Sequence, residues 1–228
     1  MDPNVAEALA KSFLGRLPSE VVDPLLADQV RLDYPAGTTI YRGGEPARAL
    51  LVVSGLIRIY VTSREGRQVT IRYGRPTDVL GTALIIGGPL NAHAQTLAPT
   101  SVFVIDARRL EAIARRDARL AYAMAEQVSD RLDEAIEQIA INAFGSVKQR
   151  VASQLLELAS TQQRPEAPLV AEVSQQELAD AIGSVREVVA RCLRELRAAG
   201  IVATSRDRVE VLDPVRLHEE SRGSLRRP

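Results

Sequence analysis

A chain of 228 residues, 46% hydrophobic and 25% charged, holds enough apolar material for two compact domains. Its 29 Lys and Arg balance 29 Asp and Glu, which excludes a grip on nucleic acid by bulk charge; any such binding must come from locally arranged charge. Cys192 is the single cysteine, which excludes intrachain disulfides and a one-chain four-cysteine zinc or iron–sulfur site, and suits a reducing cytosol.

The opening residues, MDPNVAEALAKSFLGRL, carry acidic side chains and no continuous apolar run, and no later window approaches the ~18 apolar residues of a membrane span. A soluble, cytoplasmic protein with no membrane partner is expected. Apolar residues recur at helical spacing over 4–28 (Val5, Leu9, Phe13, Leu14, then Val21, Val22, Leu25, Leu26), interrupted by Pro18, which suits the first turn of a second helix. From Val30 to Ile105 the texture changes to short apolar or alternating runs (TTIY, ALLVVSG, LIRIYVT, QVTIRYG, SVFVID) punctuated by PAG, GGEP, REGR, GRPTD and GGP. These are the marks of an antiparallel β-barrel or roll of roughly eight strands.

After Asp106, placed to cap a helix, the chain reads as helical to about Asn142, with a break near Asp117. Ala121, Met124, Val128, Leu132, Ala135, Ile139 and Asn142 advance by three or four residues and make one apolar stripe along about six turns. Such a stripe either covers the barrel or pairs with its own copy. A narrow stripe on a long helix between two domains favours a parallel coiled-coil homodimer with Met124, Val128, Leu132, Ala135 and Ile139 in the seam. Glu126, Arg131, Asp133, Glu134 and Glu137 fall outside it. Phe144-Gly145-Ser146 interrupts the helix as a hinge, so the chain divides into 1–116, 117–143 and 144–228.

The last segment reads as helix 147–160, a polar loop, a short strand near 169–172, helix 174–182, a turn at Gly183, helix 185–199, and two β-rich runs around Arg206-Asp207. Ser174 and Glu177 have the spacing of a capping box; Gly183 can make a tight turn, and Ser184 can cap the helix after it. At about 100° per residue, Val185, Val189, Cys192, Leu193 and Leu196 share one side of that helix, while Arg186, Glu187, Ala190, Arg191, Arg194 and Arg197 share the other. An arginine fork bonds both acceptors of guanine in the major groove, a glutamate accepts from the cytosine amine, and a small Ala190 permits close approach. The alternative is a solvated face held by a Glu187–Arg191 pair. The capped helix and glycine turn before it, and the β-run after it, favour a helix-turn-helix reading duplex DNA.

These residues carry a resemblance. From Tyr34 to Pro214 the chain resembles the cyclic-AMP receptor protein and FNR superfamily of bacterial transcription regulators. YPAGTTIYRGGEPARALLVVSGLIRIYVTSREGRQVTIRYGRPTDVLG is similar to the family's barrel in turn spacing and glycine placement, and SQQELADAIGSVREVVARCLRELRAAGIV to its helix-turn-helix. The resemblance implies an α+β fold: an N-terminal cyclic-nucleotide-binding-like jelly roll (1–116), a dimerisation helix (117–143) and a C-terminal winged helix-turn-helix (144–228). It implies Arg186, Glu187 and Arg191 as base readers of a TGTGA-like half-site, with Ala190 where the FNR type has a hydroxyl-bearing reader. Gln175, Gln176 and Ser184 would hold phosphates, 201–211 would form a wing, and loop 162–168 would meet RNA polymerase. Val185 and Val188 replace hydroxyl side chains of the receptor. A dimer would read half-sites about one helical turn, ~34 Å, apart.

The family's phosphate cassette maps onto Gly81–Ala94, with Gly81, Thr82, Ala83, Asn91, Ala92 and His93 as the effector pocket. Thr82 stands for the ribose-binding glutamate, Ala92 for the phosphate-binding arginine and His93 for the serine after it; the adenine-contacting hydroxyls fall at Ala135 and Ile136. A phosphate buried without a cation loses its strongest partner, so cyclic AMP binding of the usual kind is not expected. No cofactor or metal is expected. His93 could still meet an anion or a haem iron, which makes a haem- or other small-molecule-sensing regulator the alternative reading. His218 reads as a solvated tail residue and Cys192 as an inert core thiol. No nucleophile–base pair, metal-spaced cluster or phosphate loop suggests an enzyme.

Overall fold

A computed structural model of the chain describes residues 2–27, 30–45, 48–66, 68–87 and 92–222, with the side chains at 84, 137, 138, 142 and 143 excepted. Asn91, and the side chains of Glu137 and Asn142, lie outside the described residues. The chain forms two compact units, Met1–Asp133 and Glu134–Pro228, divided within one helix rather than at its ends.

The first unit opens with α1 (Pro3–Lys11), capped by Asp2, whose carboxylate accepts from the Asn4 N–H at 2.8 Å, and α2 (Ser19–Leu26); a single 3-10 turn, Phe13–Arg16, joins them. Eight strands follow among the described residues: β1 (Arg31–Tyr34), β2 (Thr39–Tyr41), β3 (Ala49–Ser54), β4 (Ile57–Thr62), β5 (Gln68–Gly74), β6 (Val79–Leu80), β7 (Ala92–Thr96) and β8 (Thr100–Ile105). A short helix, α3 (Thr82–Gly87), lies between β6 and β7. The strands pair antiparallel in two four-stranded sheets, ordered β1-β8-β3-β6 and β2-β7-β4-β5, the jelly roll expected from the sequence.

Alternation along β3 shows why its sequence is apolar from Ala49 to Val53. Leu50 and Val52 join Ile57, Ile59, Ala92, Ala94 and Val102 in the core between the sheets, while Ala49 and Leu51 join Leu14, Val22, Leu25, Leu110, Leu120 and Met124 in a second core under the helices. Where the strand is buried on both faces it shows no polar positions; its exposed end is Ser54.

After β8, Asp106 caps α4 (Ala107–Ala114) by accepting from the Arg108 and Arg109 N–H groups, and α5 runs unbroken from Ala118 to Phe144. Along its first half Leu120, Ala123, Met124 and Gln127 are buried against the unit's own core. Ala121, Ala125, Val128, Leu132, Ala135 and Ile139 are exposed, with Leu132 at 61% and Ile139 at 69%. This corrects the predicted seam at one place. Met124, fully buried in its own protomer, cannot face a partner, and Ala125 occupies the 3,4 spacing with Val128, Leu132, Ala135 and Ile139. Two apolar stripes run side by side here, and a single helical period merges them.

The second unit contains α6 (Val147–Gln162), β9 (Val170–Ala171), α7 (Gln175–Ala181), α8 (Arg186–Ala198), β10 (Val202–Ser205), β11 (Arg208–Val211) and α9 (Pro214–Ser221). Ser146 and Gln149 close a capping box on α6. Strand β9 adds to the wing to make a sheet ordered β10-β11-β9. Helix α9 corrects the reading of His218: the residue is buried, at 8% exposure, on a helix that packs against α6 rather than solvated in a tail. Its start signal, Asp213 accepting from the Arg216 N–H at 3.0 Å with Pro214 in the first turn, is present in the sequence. Among the described residues no helix is long and apolar enough to cross a membrane.

Candidate nucleic-acid interface

The site is assembled from local signals. At α7 the Ser174 hydroxyl accepts from the Glu177 N–H at 3.2 Å and the Glu177 carboxylate accepts from the Ser174 N–H at 2.8 Å, so both halves of the capping box form. The bond from the Ser174 backbone, then that from its hydroxyl, holds the Glu177 carboxyl below its ordinary range. Gly183, at φ +61°, makes the left-handed turn, and the Ser184 N–H donates back to the Ala179 carbonyl at 2.9 Å.

The second helix starts one residue later than predicted. Val185 is its N-cap residue and supplies no side-chain bond, so Ser184 does not cap it; Val185 is exposed rather than part of the packed face. Val189, Cys192, Leu193 and Leu196 are buried and seat α8 on its own unit. Burial first, then the nearby Glu195 charge, pushes the Cys192 thiol up, away from reactive thiolate character.

Arg186, Glu187 and Arg191 are all exposed on the opposite side, with Ala190 half-buried between them. No salt bridge joins Glu187 to Arg191 among the described residues, and both side chains are exposed. Arg186 lines a cleft of about 360 Å³ together with Ser174, Gln175 and Gln176 at the start of α7 and Thr204, Ser205, Arg206 and Asp207 on the wing. The structure therefore brings Gln175, Gln176 and Arg186 together with the wing, while Glu187, Ala190 and Arg191 continue along the exposed face of α8. Gln176 arrives partly engaged, its amide N–H donating to Asp180 at 2.8 Å.

The wing residues of this cleft were not singled out in the sequence beyond the 201–211 range. Their signal is the two-residue turn Arg206-Asp207, with Asp207 at φ +54° and Ser205 paired to Arg208 across it. It leaves the Arg206 side chain at 96% exposure.

Of the residues expected in an effector pocket, the described ones, Gly81, Thr82, Ala83, Ala92 and His93, are held in separate surroundings. Gly81, at φ +88°, is obligatory, since a Cβ there would sit 1.9 Å from the Arg48 carbonyl oxygen. Thr82 is buried, and its hydroxyl donates to the Gln127 amide oxygen at 2.6 Å; Ala83 is exposed. Ala92 fills the core between the sheets, so its neighbour His93 faces the other way, stacked on Tyr60 at 5.1 Å, with Nδ1 accepting from the Gly43 N–H at 3.5 Å. Thr82, Ala92 and His93 thus bring a cyclic phosphate no arginine or lysine at the three mapped positions, which fits that group poorly. Ala135 and Ile136 are exposed on α5. Among the described residues no three His, Cys, Asp or Glu side chains are grouped to hold a metal ion.

Residues 31–117 match the model of the cyclic nucleotide-binding domain, and residues 149–220 that of the Crp-like helix-turn-helix domain. The chain is 34% identical over 190 residues to the transcriptional regulator LdrP of Thermus thermophilus, covering 82% of this chain and 94% of that one. It is 31% identical over 209 residues to the cyclic AMP receptor protein of the same species, covering 91% and 94%. A crystal structure of a crp/fnr-family transcriptional regulator from Eubacterium rectale superposes with a TM-score of 0.58 at 26% identity, covering 91% of this chain and 96% of that one.

Proposed function

The chain belongs to the Crp/FNR family of transcriptional regulators, and from that premise we propose that it binds a pseudo-palindromic operator as a homodimer without needing cyclic AMP. The observation that carries the reading is the exposed Arg186, Glu187 and Arg191 set on α8, opposite a buried apolar face and beside a cleft shared with the wing.

In a half-site, Arg186 and Arg191 would each present a planar fork to guanine and Glu187 would accept from cytosine, which favours a TGTGA-like sequence. Gln175, Gln176 and the wing would fix the phosphates and so the register of α8 in the groove. Gln176 must exchange its bond to Asp180 for one to phosphate. The exposed heptad positions on α5 supply the dimer contact, which sets two α8 helices about one DNA turn apart. The loop after α6, by family likeness, would touch RNA polymerase.

Several relatives are named for cyclic AMP, yet here the position of the phosphate-binding arginine holds a buried alanine and that of the following serine an outward-stacked histidine. These placements support a regulator whose competence does not rest on that nucleotide. They also speak against haem ligation by His93 from inside the barrel. Binding of a labelled duplex with two TGTGA-like half-sites, titrated with and without cyclic AMP, tests the proposal: tight binding unaltered by nucleotide is expected, and a large gain at micromolar cyclic AMP overturns the nucleotide-independent part.

A further inference from the structure

The position that would offer a carboxylate to a ribose is tied instead to the long helix. Thr82 donates to the Gln127 amide oxygen at 2.6 Å, and the Gln127 amide N–H donates to the Val79 carbonyl at 2.9 Å, so both ends of a buried glutamine are satisfied by the barrel. One turn further along α5, Arg131 donates to Asp78 at 2.8 Å. Asp78 is itself buried, accepts from the Arg75 N–H at 2.9 Å and lies 3.6 Å from the Arg72 guanidinium. Thr77 stands at φ +79°, a costly conformation for a β-branched residue. Its N–H donates to the Val52 carbonyl, and the Val52 N–H donates to the Asp78 carbonyl, both at 2.8 Å, so the strained turn is pinned to β3 with Asp78 aimed at α5.

We infer that Asp78 and Thr82 on the barrel and Gln127 and Arg131 on α5 form a polar clasp that fixes the rotation of α5 with the chain's own side chains, in place of an effector. Gln127 and Arg131 are four residues apart and share one helix face with buried Leu120 and Met124. Ala125, Val128 and Leu132 lie roughly 100–160° round the helix from Gln127. Holding the first face to the barrel therefore leaves the second outward, in the register a coiled-coil partner needs. A buried amide that loses one partner is strongly penalised, so the clasp is closed as a whole or not formed, which makes it a two-state element. The four are positioning residues; none needs to touch DNA. The inference rests on the proposed dimeric DNA-binding reading for its functional consequence, but not for the clasp itself.

The test uses the purified full chain without added nucleotide. Thr82→Val keeps shape and removes the hydroxyl, Gln127→Ala removes the partner, and Thr82→Ser restores the donor. Amide hydrogen exchange over 125–140 and affinity for the two-half-site duplex are measured for each. Expected are at least tenfold faster exchange and at least tenfold weaker operator binding for Thr82→Val and Gln127→Ala, with Thr82→Ser near the parent in both. Parental exchange in Thr82→Val and Gln127→Ala overturns the clasp. Should Thr82→Val fail to fold, Asp78→Asn, which keeps shape but weakens the Arg131 link, carries the same expectation. If the parent itself ignores the duplex, the DNA reading falls, and the exchange arm still decides the clasp.

Discussion

Replacing Arg191 by alanine separates base reading from a merely solvated charged face. Arg191 is exposed and makes no salt bridge among the described residues, and the packed side of α8 is carried by Val189, Cys192, Leu193 and Leu196. Arginine and alanine are both strong helix formers, so folding stability should move by no more than about 0.5 kcal/mol. Loss of a bidentate guanine contact costs about 1–3 kcal/mol in each half-site, so about 2–6 kcal/mol for a dimer on two half-sites, a factor of about 30 to 25,000 in affinity. Fluorescence anisotropy with the TGTGA-like duplex and a scrambled one, at several salt concentrations, should show the specific affinity falling by that factor and the scrambled affinity changing far less. The slope of log affinity against log salt should stay near the parent's, because a base contact releases no phosphate counterion. Arg191→Lys should recover charge but not the fork, and so little of the discrimination. Unchanged discrimination with a slope shallower by about 1.8, roughly 0.9 for each protomer, would make Arg191 a phosphate contact and refute its reading role.

On α5, Leu132→Ala removes an exposed apolar anchor from each of two protomers at a cost to the dimer of about 3–6 kcal/mol, visible as a shift to monomer in sedimentation equilibrium. Gly81→Ala would drive a methyl into the Arg48 carbonyl at a left-handed φ, so a loss of about 3 kcal/mol or more and a Tm lower by about 10 °C are expected by calorimetry. The hydrogen bond from the Arg119 side chain, foremost, holds the Asp117 carboxyl from its ordinary 3.8 down to about 2. Since the folded value is the lower one, this stabilisation is present above about pH 4 and lost as pH falls toward 2; Asp117→Asn should be less stable than the parent at neutral pH and converge with it across that window in urea titrations.

What was legible in the sequence was whatever neighbouring residues decide. The capping box of Ser174 and Glu177, the left-handed Gly183 and the apolar spacing of α8 lie within a stretch of little more than twenty residues, and each appears where the pattern puts it, Val185 excepted. The barrel strands were legible because β3 and its neighbours are buried on two faces. Boundaries were not: whether Ser184 or Val185 caps α8 turns on one residue's dihedral angles, which composition leaves open. His218 was misplaced because its charged neighbours outweighed the Asp-Pro start of α9, whose burial depends on α6 packing against it.

The seam and the clasp are two readings of one helix, and this explains why the seam was off by a residue at Met124. A helix that serves only a partner needs one apolar stripe; α5 must also hold its own barrel, so a second stripe containing Leu120 and Met124 runs beside the first. What separates the two is polar: Gln127 and Arg131 stand where a purely apolar stripe would continue inward. Their partners are remote in sequence, Thr82 lying 45 residues from Gln127 and Asp78 lying 53 from Arg131. No local pattern announces such pairs, and a glutamine on a helix ordinarily signifies solvent. The helix-turn-helix is written in neighbouring residues, whereas the seating of α5 on the barrel is written in pairs that meet only after the barrel closes.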